Sequence, residues 1–405
     1  MIWEKVRLGK VSESCLGKML DQNKNTGSFQ PYLANVNVRW GSFNLDNLQE
    51  MKFEDSENER YGLKYGDLVI CEGGEPGRCA IWKEQLPNMK IQKALHRVRV
   101  KEDMDYRFVY YWFLLAGKTG VLKQYYTGAT IMHMPGQKLK EVIIDKPPLE
   151  IQVKIADILS AYDDLIENNQ KQIKLLEEAA QRLYKEWFVD LRFPGHEAVK
   201  IVDGVPEGWE HVQLMDVLKK ITTGLNPRKN FVLGSGKNYY VTIKNMRDND
   251  IYLDDKCDKV DDEALEKINK RSDLRTGDIL FSGIGTMGRV YLISIPTDNW
   301  NVSESVFTMR ANEKISKELL YLILLSDDVQ NYCELNAHGA AQRGIRMADL
   351  KAYKFNLPPN EIIRNFTSLV IPILAKVQKI RSENLILSEA RDRLLPKLIS
   401  GEIQV

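Results

Sequence analysis

The hydrophobic positions in the middle of the chain alternate with spacings of four and three residues. They run through Ile155, Leu159, Tyr162, Ile166, Asn169, Ile173, Leu176, Ala180, Leu183 and Trp187. A repeat of 3.5 residues is typical of the seam of a coiled coil. Charged and polar side chains occupy most of the positions between them, as on a solvated helix face. The pattern predicts a long helix that pairs with another helix along this seam.

A second segment of the same kind lies near the end of the chain. Its seam includes Ile380, Asn384, Leu387 and Leu394, and Pro372 predicts a kink or a regular helix only C-terminal to it. Each seam carries one asparagine, a residue that weakens packing but fixes register. Antiparallel pairing places position 169 opposite position 384. We therefore predict that the two asparagine side chains face each other.

The rest of the chain is written twice. "YGLKYGDLVICEGGEPGRCAIW" resembles "KRSDLRTGDILFSGIGTMGRVYLI", and the anchors Gly66 and Gly277 are 211 positions apart (277 − 66). The same offset relates Gly128 to Gly339. Runs such as "GDLVI" and "RVYLI" predict strands between glycine turns, and "DYRFVYYWFLLAG" and "KELLYLILLS" predict buried helices. A repeated α+β unit is the consequence.

The predicted fold class is α+β. Two tandem mixed α/β domains are separated by two long helices that pair as an antiparallel coiled coil, with pseudo-twofold symmetry. The predicted boundaries are 1–147 for the first domain, 148–193 for the central helix, 194–357 for the second domain and 358–405 for the distal helix. Forty-odd helical residues make a rod of about 60 Å.

Composition limits the classes of partner, metal site and cellular compartment expected for the protein. The formal net charge is +1, so a polyanionic partner would have to bind a local patch. Five cysteines form no C-x-x-C pair, which disfavours disulfides and a zinc site. The segment "MIWEKVRLGK" lacks the apolar core of a signal peptide, and the longest apolar run is too short to span a bilayer. We expect a cytoplasmic protein with no metal site and no membrane segment.

The competing class of protein is an enzyme, which would require a recognisable catalytic or cofactor-binding motif. "NLPPNE" lacks the aromatic residue that an amino-methyltransferase motif requires, and "GSGKN" lacks the upstream glycine and following hydroxyl of a phosphate-binding loop. The glycines of "ICEGGEPGR" do not have dinucleotide-binding spacing. We predict a non-catalytic chain. A coiled-coil structural or chromosome-associated DNA-binding protein remains the alternative.

The segment "PPLEIQVKIADILSAYDDLIENNQKQIKLLEEAAQRLYKEWFVD" resembles the central conserved region of the specificity subunits of type I restriction-modification systems. "PEGWEHVQLMDVL" and "LPPNEIIRNF…EARDRLLPKLISGEIQV" are similar to further parts of that family. Arg364 and Pro372 are departures from its pattern.

The resemblance implies a function and partners. Each domain would be a target-recognition domain that reads one half of a split site in double-stranded DNA, with the coiled coil setting the gap. Two methyltransferase subunits, and then restriction subunits, would dock on the chain. This chain would hold no cofactor, and S-adenosylmethionine, ATP and Mg²⁺ are expected only on the partner subunits.

Candidate DNA contacts were chosen as polar residues on glycine-bounded loops, because phosphates and base edges are bound by such side chains. The candidates are Arg78, Thr130, His133 and Lys138 in the first domain, and Asn226, Arg228, Lys229, Lys244, Asn245, Arg247, Arg289, Gln342, Arg343 and Arg346 in the second. His96 is read either as a phosphate contact or as a residue on an exposed strand face. The two sets differ, which predicts two different half-sites and an asymmetric target.

Overall fold

A computed structural model describes residues 3–21, 25–339 and 343–405. The chain divides into two compact units. Unit 1 comprises Met1–Asn169 and Glu383–Val405, and unit 2 comprises Gln170–Ser382. Each unit therefore contains one repeat together with part of each long helix. The domain boundaries given by the sequence, which treat each helix as a separate segment, stay a prediction.

Unit 1 contains eleven strands among its described residues. They are β1 (Glu4–Arg7), β2 (Ser12–Leu16), β3 (Ser28–Leu33), β4 (Val38–Arg39), β5 (Ser42–Phe43), β6 (Gln49–Phe53), β7 (Leu68–Cys71), β8 (Cys79–Ile81), β9 (Lys90–Ile91), β10 (Leu95–Val100) and β11 (Ile143–Lys146). Its helices are α1 (Leu8–Val11), α2 (Asn58–Tyr61), α3 (Tyr106–Thr119), α4 (Gly136–Glu141) and the first part of α5 (Leu149–Tyr184). One turn of π-helix, Lys185–Val189, follows α5.

Unit 2 repeats this order after an additional hairpin at residues 201–206, which has no counterpart among the described residues of unit 1. Its strands are β12 (Ile201–Val202), β13 (Val205–Pro206), β14 (Glu210–Gln213), β15 (Leu218–Thr223), β16 (Asn238–Val241), β17 (Met246–Arg247), β18 (Asp250–Ile251), β19 (Asp258–Val260), β20 (Ile279–Ser282), β21 (Val290–Leu292), β22 (Trp300–Val302), β23 (Val306–Ala311) and β24 (Lys354–Leu357). Its helices are α6 (Asp262–Ser272), α7 (Lys317–Leu325), α8 (Asp327–Leu335), α9 (Met347–Lys351) and most of α10 (Asn360–Ile399).

The sheets of the two units have the same topology. A four-stranded antiparallel sheet has the order β2-β10-β7-β8 in unit 1 and β15-β23-β20-β21 in unit 2. A three-stranded sheet with one parallel pair has the order β6-β3-β9 and β19-β16-β22, respectively. Strands β7 and β20 start 211 positions apart (279 − 68), as do α3 and α7 (317 − 106). The structure confirms the predicted duplication.

The helix after β10 or β23 forms the centre of each core. In unit 1, α3 is one helix that begins at the cap Asp105, whose carboxylate accepts from Arg107 N and Phe108 N. In unit 2, Ser326 interrupts the corresponding helix, because its hydroxyl caps α8 at the point where α7 ends. Both α3 and α7 are mostly buried, as the sequence predicts.

Within unit 1, the start of α5 packs antiparallel on the end of α10. Asn169 Nδ2 donates to Asn384 Oδ1 at 2.9 Å, which confirms the predicted pairing of the two asparagines. Arg391 forms an ion pair with Asp163, whose other carboxylate oxygen accepts from Tyr111 Oη at 2.7 Å. The predicted seam residues of both helices are all buried or half-buried.

Within unit 2, the end of α5 packs on the first half of α10, with the Phe188 and Phe366 ring centroids 4.7 Å apart. Helix α10 begins at Asn360, so the idea of a regular helix only after Pro372 is wrong. Proline has no N–H, so Pro372 cannot donate to the carbonyl of Ser368 one turn earlier. Both residues are exposed, and water can bond that carbonyl instead. Burial of the neighbouring Val370 stabilises the helix across the proline. No helix among the described residues has the length and apolarity needed to cross a bilayer.

Candidate nucleic-acid interface

Three loops of unit 1 meet at one place, the first loop cluster, which comprises residues 34–45, 72–78 and 126–134. Asn35 Nδ2 donates to Gly73 O at 2.6 Å, which joins the first loop to the second. Met134 N donates to Glu72 O at 2.7 Å, which joins the third loop to the second. These bonds hold the three loops together at the ends of the strands from which they come.

Unit 2 contains the corresponding second loop cluster, residues 242–252, 283–289, 337–339 and 343–345. Gly285 N donates to Arg343 O, and Ile345 N donates to Gly283 O, both at 2.9 Å. Arg289 Nη1 donates to Ile243 O at 2.9 Å, which joins loop 283–289 to loop 242–252. The two clusters therefore have the same architecture, and their side chains can be compared position by position.

Arg78 and Arg289 are structural members of these clusters. Arg78 Nη2 donates to the backbone oxygen of Asn35 at 3.1 Å and to its side-chain oxygen at 2.8 Å, and the Arg78 side chain is only 16% exposed. Arg289 donates to Ile243 O and also to Met246 O. Each guanidinium fixes the short 3₁₀ turn before a hairpin. This geometry favours a positioning task over the direct DNA contact predicted from the sequence.

Asn245 is also structural. Its buried side chain accepts from Thr242 N at 2.9 Å and closes the turn Ile243–Asn245. Asn37 does the same in unit 1, where it accepts from Ala34 N at 2.8 Å. A buried side-chain oxygen that closes a turn is not available to a base. The direct-contact prediction for Asn245 is therefore disfavoured by its geometry.

Several candidates lie in the clusters with exposed side chains. Thr130 and His133 are exposed in the first cluster, and Lys244, Arg247 and Arg343 are exposed in the second. Arg247 stacks on Tyr252, with its guanidinium carbon 3.9 Å from the ring centroid. Arg346 is exposed immediately after the second cluster. Gln342 lies outside the described residues.

The remaining candidates lie beside the clusters. Lys138 is in α4 and forms an ion pair with Glu141 at 2.9 Å. Asn226 caps the turn Pro227–Lys229 and donates to Glu304 at 2.7 Å, while Arg228 and Lys229 in that turn are exposed.

The structure contradicts both predictions made for His96. It is 1% exposed, and its Nε2 lies 3.0 Å from Met134 O, so the ring supports the third loop of the first cluster from below. Burial lowers the pKa of this imidazole, which favours the neutral form that donates to the carbonyl. Neither a phosphate contact nor an exposed strand face describes this residue.

Exposed apolar residues of the first cluster are absent from the candidates predicted from the sequence. Val36 is 71% exposed, and Ile131 and Met132 are exposed at the tip of the third loop. A search for polar and basic residues passes over them, yet exposed apolar groups can contact a thymine methyl group. Arg39 was also missed. Its counterpart Arg247 is among the candidates as part of the polar segment "TIKNMRDND".

The clusters differ strongly in charge. Lys244 occupies the place of Val36 in the aligned 3₁₀ turns, and Arg343 and Arg346 occupy the places of Met132 and Pro135. At these positions the first cluster is apolar where the second is basic, while both clusters carry one exposed arginine in the hairpin, Arg39 and Arg247. No group of histidine, cysteine or acidic side chains suited to a metal ion occurs among the described residues.

Comparisons with known proteins give the family. The family model of the type I restriction modification DNA specificity domain matches twice, over residues 2–178 and 206–380. The type I restriction enzyme MjaIX specificity subunit of Methanocaldococcus jannaschii is 28% identical, with 84% of this chain and 78% of the relative covered. The MjaVIII specificity subunit of the same organism is 25% identical, with 100% of this chain and 93% of the relative covered.

A solved structure shares the fold. The crystal structure of the S subunit of a type I restriction-modification system from M. genitalium has a TM-score of 0.55 and 16% sequence identity, and the match covers 98% of this chain and 96% of that one. The chain belongs to the family of type I restriction-modification DNA specificity domains. It is a non-catalytic DNA target-recognition subunit, and the alternative of a coiled-coil structural protein is not favoured.

Proposed function

We propose that the chain reads a bipartite, asymmetric sequence in double-stranded DNA, with one half-site bound by each loop cluster. The observation that carries this proposal is the contrast between the clusters. One backbone architecture occurs twice, with Val36 and Met132 in one copy where the other has Lys244 and Arg343. Different side chains at equivalent positions present different donors, acceptors and apolar surfaces to the bases. Two unlike half-sites follow.

The two clusters would divide the work differently. Exposed basic groups of the second cluster, Lys244, Arg247 and Arg343, together with Arg346, are suited to phosphate oxygens and guanine edges. Arg228 and Lys229 would extend this basic surface along the backbone. In the first cluster, Thr130 and His133 supply hydrogen bonds beside an exposed apolar tip. Binding by unit 2 should therefore depend more steeply on salt.

The helix pair would set the gap between the half-sites and receive the catalytic subunits. Exposed apolar side chains remain on both helices, including Leu165, Leu385 and Ile386 in unit 1 and Leu175 and Leu369 in unit 2. Such residues on an otherwise charged helix face suit a protein partner. The partners we propose are two methyltransferase subunits and restriction subunits. S-adenosylmethionine, ATP and Mg²⁺ would be bound by these partners, in the cytoplasm.

Mapping of methylated bases tests the proposal. The chain is coexpressed with its cognate methyltransferase subunit, and genomic DNA is sequenced for modified bases. The expected result is a single split sequence with two unlike halves and a constant gap. A continuous site, a palindromic site, or no methylation by an assembled complex contradicts the proposal. Omission of the chain is the control, and all modification should then disappear.

A further inference from the structure

The hairpin β17–β18 carries the second loop cluster's Arg247, and its tip has an unusual anchor. The turn residues Asp248 and Asn249 both have positive φ, 51° and 52°, as a tight two-residue turn requires. Their carbonyl oxygens point to the long helix α10. Arg381 on that helix donates to Asp248 O at 2.8 Å and to Asn249 O at 2.9 Å.

The same guanidinium is fixed on its other side. Arg381 Nη2 donates to Glu177 of α5 at 2.7 Å, and Arg381 Nε lies 3.6 Å from Asp250 of the hairpin. The Arg381 side chain is 10% exposed. Burial raises the pKa of Glu177 and of Asp250, and the cation opposes this shift for both carboxyl groups. One side chain thus joins two helices and a hairpin, all within unit 2.

Arg289 holds the other end of the hairpin, where it donates to the carbonyl oxygens of Ile243 and Met246. Lys244 and Arg247 lie between these two anchors and are exposed. Their side chains project from a short segment whose backbone is clamped at both ends. A displacement of about 1 Å at the tip would move Arg247 out of hydrogen-bonding distance of a base edge.

Unit 1 has no equivalent of this anchor among its described residues. The position that corresponds to Arg381 is Gln170 (381 − 211), an exposed residue that lies in unit 2. The corresponding hairpin β4–β5 rests on α3 instead. Trp40 packs at Gly117, and the Trp40 indole N–H donates to Glu75 at 2.7 Å. The arginine clamp belongs to one reading head only.

We propose that Arg381 is a positioning residue for DNA recognition, which holds the tip of hairpin β17–β18 on the helix pair so that Lys244 and Arg247 read the half-site of unit 2. This inference rests on the proposed function. Arg381 itself does not touch DNA. Its effect is exerted through the hairpin backbone, and it makes discrimination at one half-site depend on a residue of the spacer helix.

The test uses the assembled complex with its methyltransferase partner. Methylation rates are measured on the mapped target and on every single-base variant of both half-sites, for the wild type and for Arg381→Met. Loss of the clamp should reduce discrimination in one half-site by about tenfold or more. Discrimination in the other half-site should stay within about twofold, because distant sites act independently.

Arg391→Met is the matched control. Arg391 is also an ion-paired arginine on α10, but its hydrogen bonds go to Asp163 and Asp392 and not to the backbone of a hairpin. This variant should leave discrimination in both half-sites unchanged. Arg381→Lys carries the test if Arg381→Met does not fold, because lysine keeps the charge beside Glu177 but lacks the planar fork that bonds both carbonyls. It should relax the same half-site.

The outcomes separate the two proposals. Relaxation confined to one half-site in the Arg381 variants, with none in Arg391→Met, supports the positioning role. Equal effects on both half-sites, or unchanged discrimination in both Arg381 variants, overturn it while leaving the proposed function intact. If the wild-type complex methylates no split site, the proposed function itself fails.

Discussion

The hairpins β4–β5 and β17–β18 occupy corresponding positions in the two loop clusters, but different side chains hold their turns in place. In unit 1, the Trp40 ring packs on α3 at Gly117, and in unit 2 Arg381 binds the turn carbonyls from α10. The strand order and the 3₁₀ turn before each hairpin are shared. The comparison shows that the duplication kept the backbone and replaced the side chains that fix it.

The loop clusters differ in the same way. Their backbone bonds correspond, including the arginines Arg78 and Arg289 that fix the turns. Among the exposed side chains, Lys244 stands in the place of Val36, while Arg247 corresponds to the exposed Arg39. The arginines that fix the 3₁₀ turns are shared, and the solvent-facing position within the turn has diverged. This is the division expected of a scaffold that presents two unlike reading surfaces.

The largest expected effect comes from removing the basic surface of unit 2. The triple variant Lys244→Ala, Arg247→Ala and Arg346→Ala should bind target duplex at least about tenfold more weakly. The slope of log affinity against log salt should become shallower by about 3, one for each lost phosphate contact. Fluorescence anisotropy over a salt series measures both quantities.

The control for this variant removes three exposed lysines of unit 2 that lie outside the cluster, Lys219, Lys270 and Lys314. It has a similar charge loss and should change the slope little. Equal slopes for the two triple variants would show that net charge matters and the cluster does not.

A smaller effect is expected from crowding the hairpin anchor of unit 1. A Cβ on Gly117 would lie 2.6 Å from two carbon atoms of the Trp40 ring, so Gly117→Ala should displace the ring and the hairpin. We expect discrimination to fall about tenfold in the half-site that Arg381→Met leaves intact. Methylation rates on single-base variants measure this. Thr119→Ala, on the same helix and exposed, should have no such effect.

Breaking the asparagine pair of unit 1 from one side should cost about 1 kcal/mol of stability. Asn169→Leu leaves the Asn384 amide without its partner, so the free energy of unfolding should decrease by about that amount. The double variant Asn169→Leu and Asn384→Leu removes both polar groups and should recover or exceed wild-type stability. Urea denaturation measures the change. A double variant less stable than both single variants would contradict this reading.

The smallest effect is expected from a substitution that gives the first cluster a basic residue of the second. Val36→Lys places an ammonium group at the position that Lys244 occupies in unit 2, on a side chain that is already exposed. Affinity should rise at low salt, and the salt slope should steepen by about 1. The methylated sequence should stay the same if the new lysine contacts phosphate only. Val36→Thr is the uncharged control and should leave the slope unchanged.

The sequence predicted the fold better than the site. Hydrophobic periodicity and the 211-residue offset were sufficient for strands β7 and β21, the buried helices α3 and α7, and the register of Asn169 on Asn384, because buried residues recur at regular spacing. The loop residues leave none. An arginine such as Arg289 that bonds a carbonyl 46 positions earlier has the same local sequence signature as one that faces solvent. Pro372 was misread because its helix is stabilised by tertiary packing on the core of unit 2.

The most direct test of the account is a chain that carries the first domain twice. Residues 194–357 are replaced by a second copy of residues 1–147, with both long helices unchanged, and methylated bases are mapped after coexpression with the methyltransferase subunit. The expected result is a split target whose two half-sites carry the same sequence on opposite strands, as the predicted pseudo-twofold symmetry requires, at the original gap. Methylation of the original asymmetric target, or of two half-sites that still differ, would contradict the claim that each unit reads its own half.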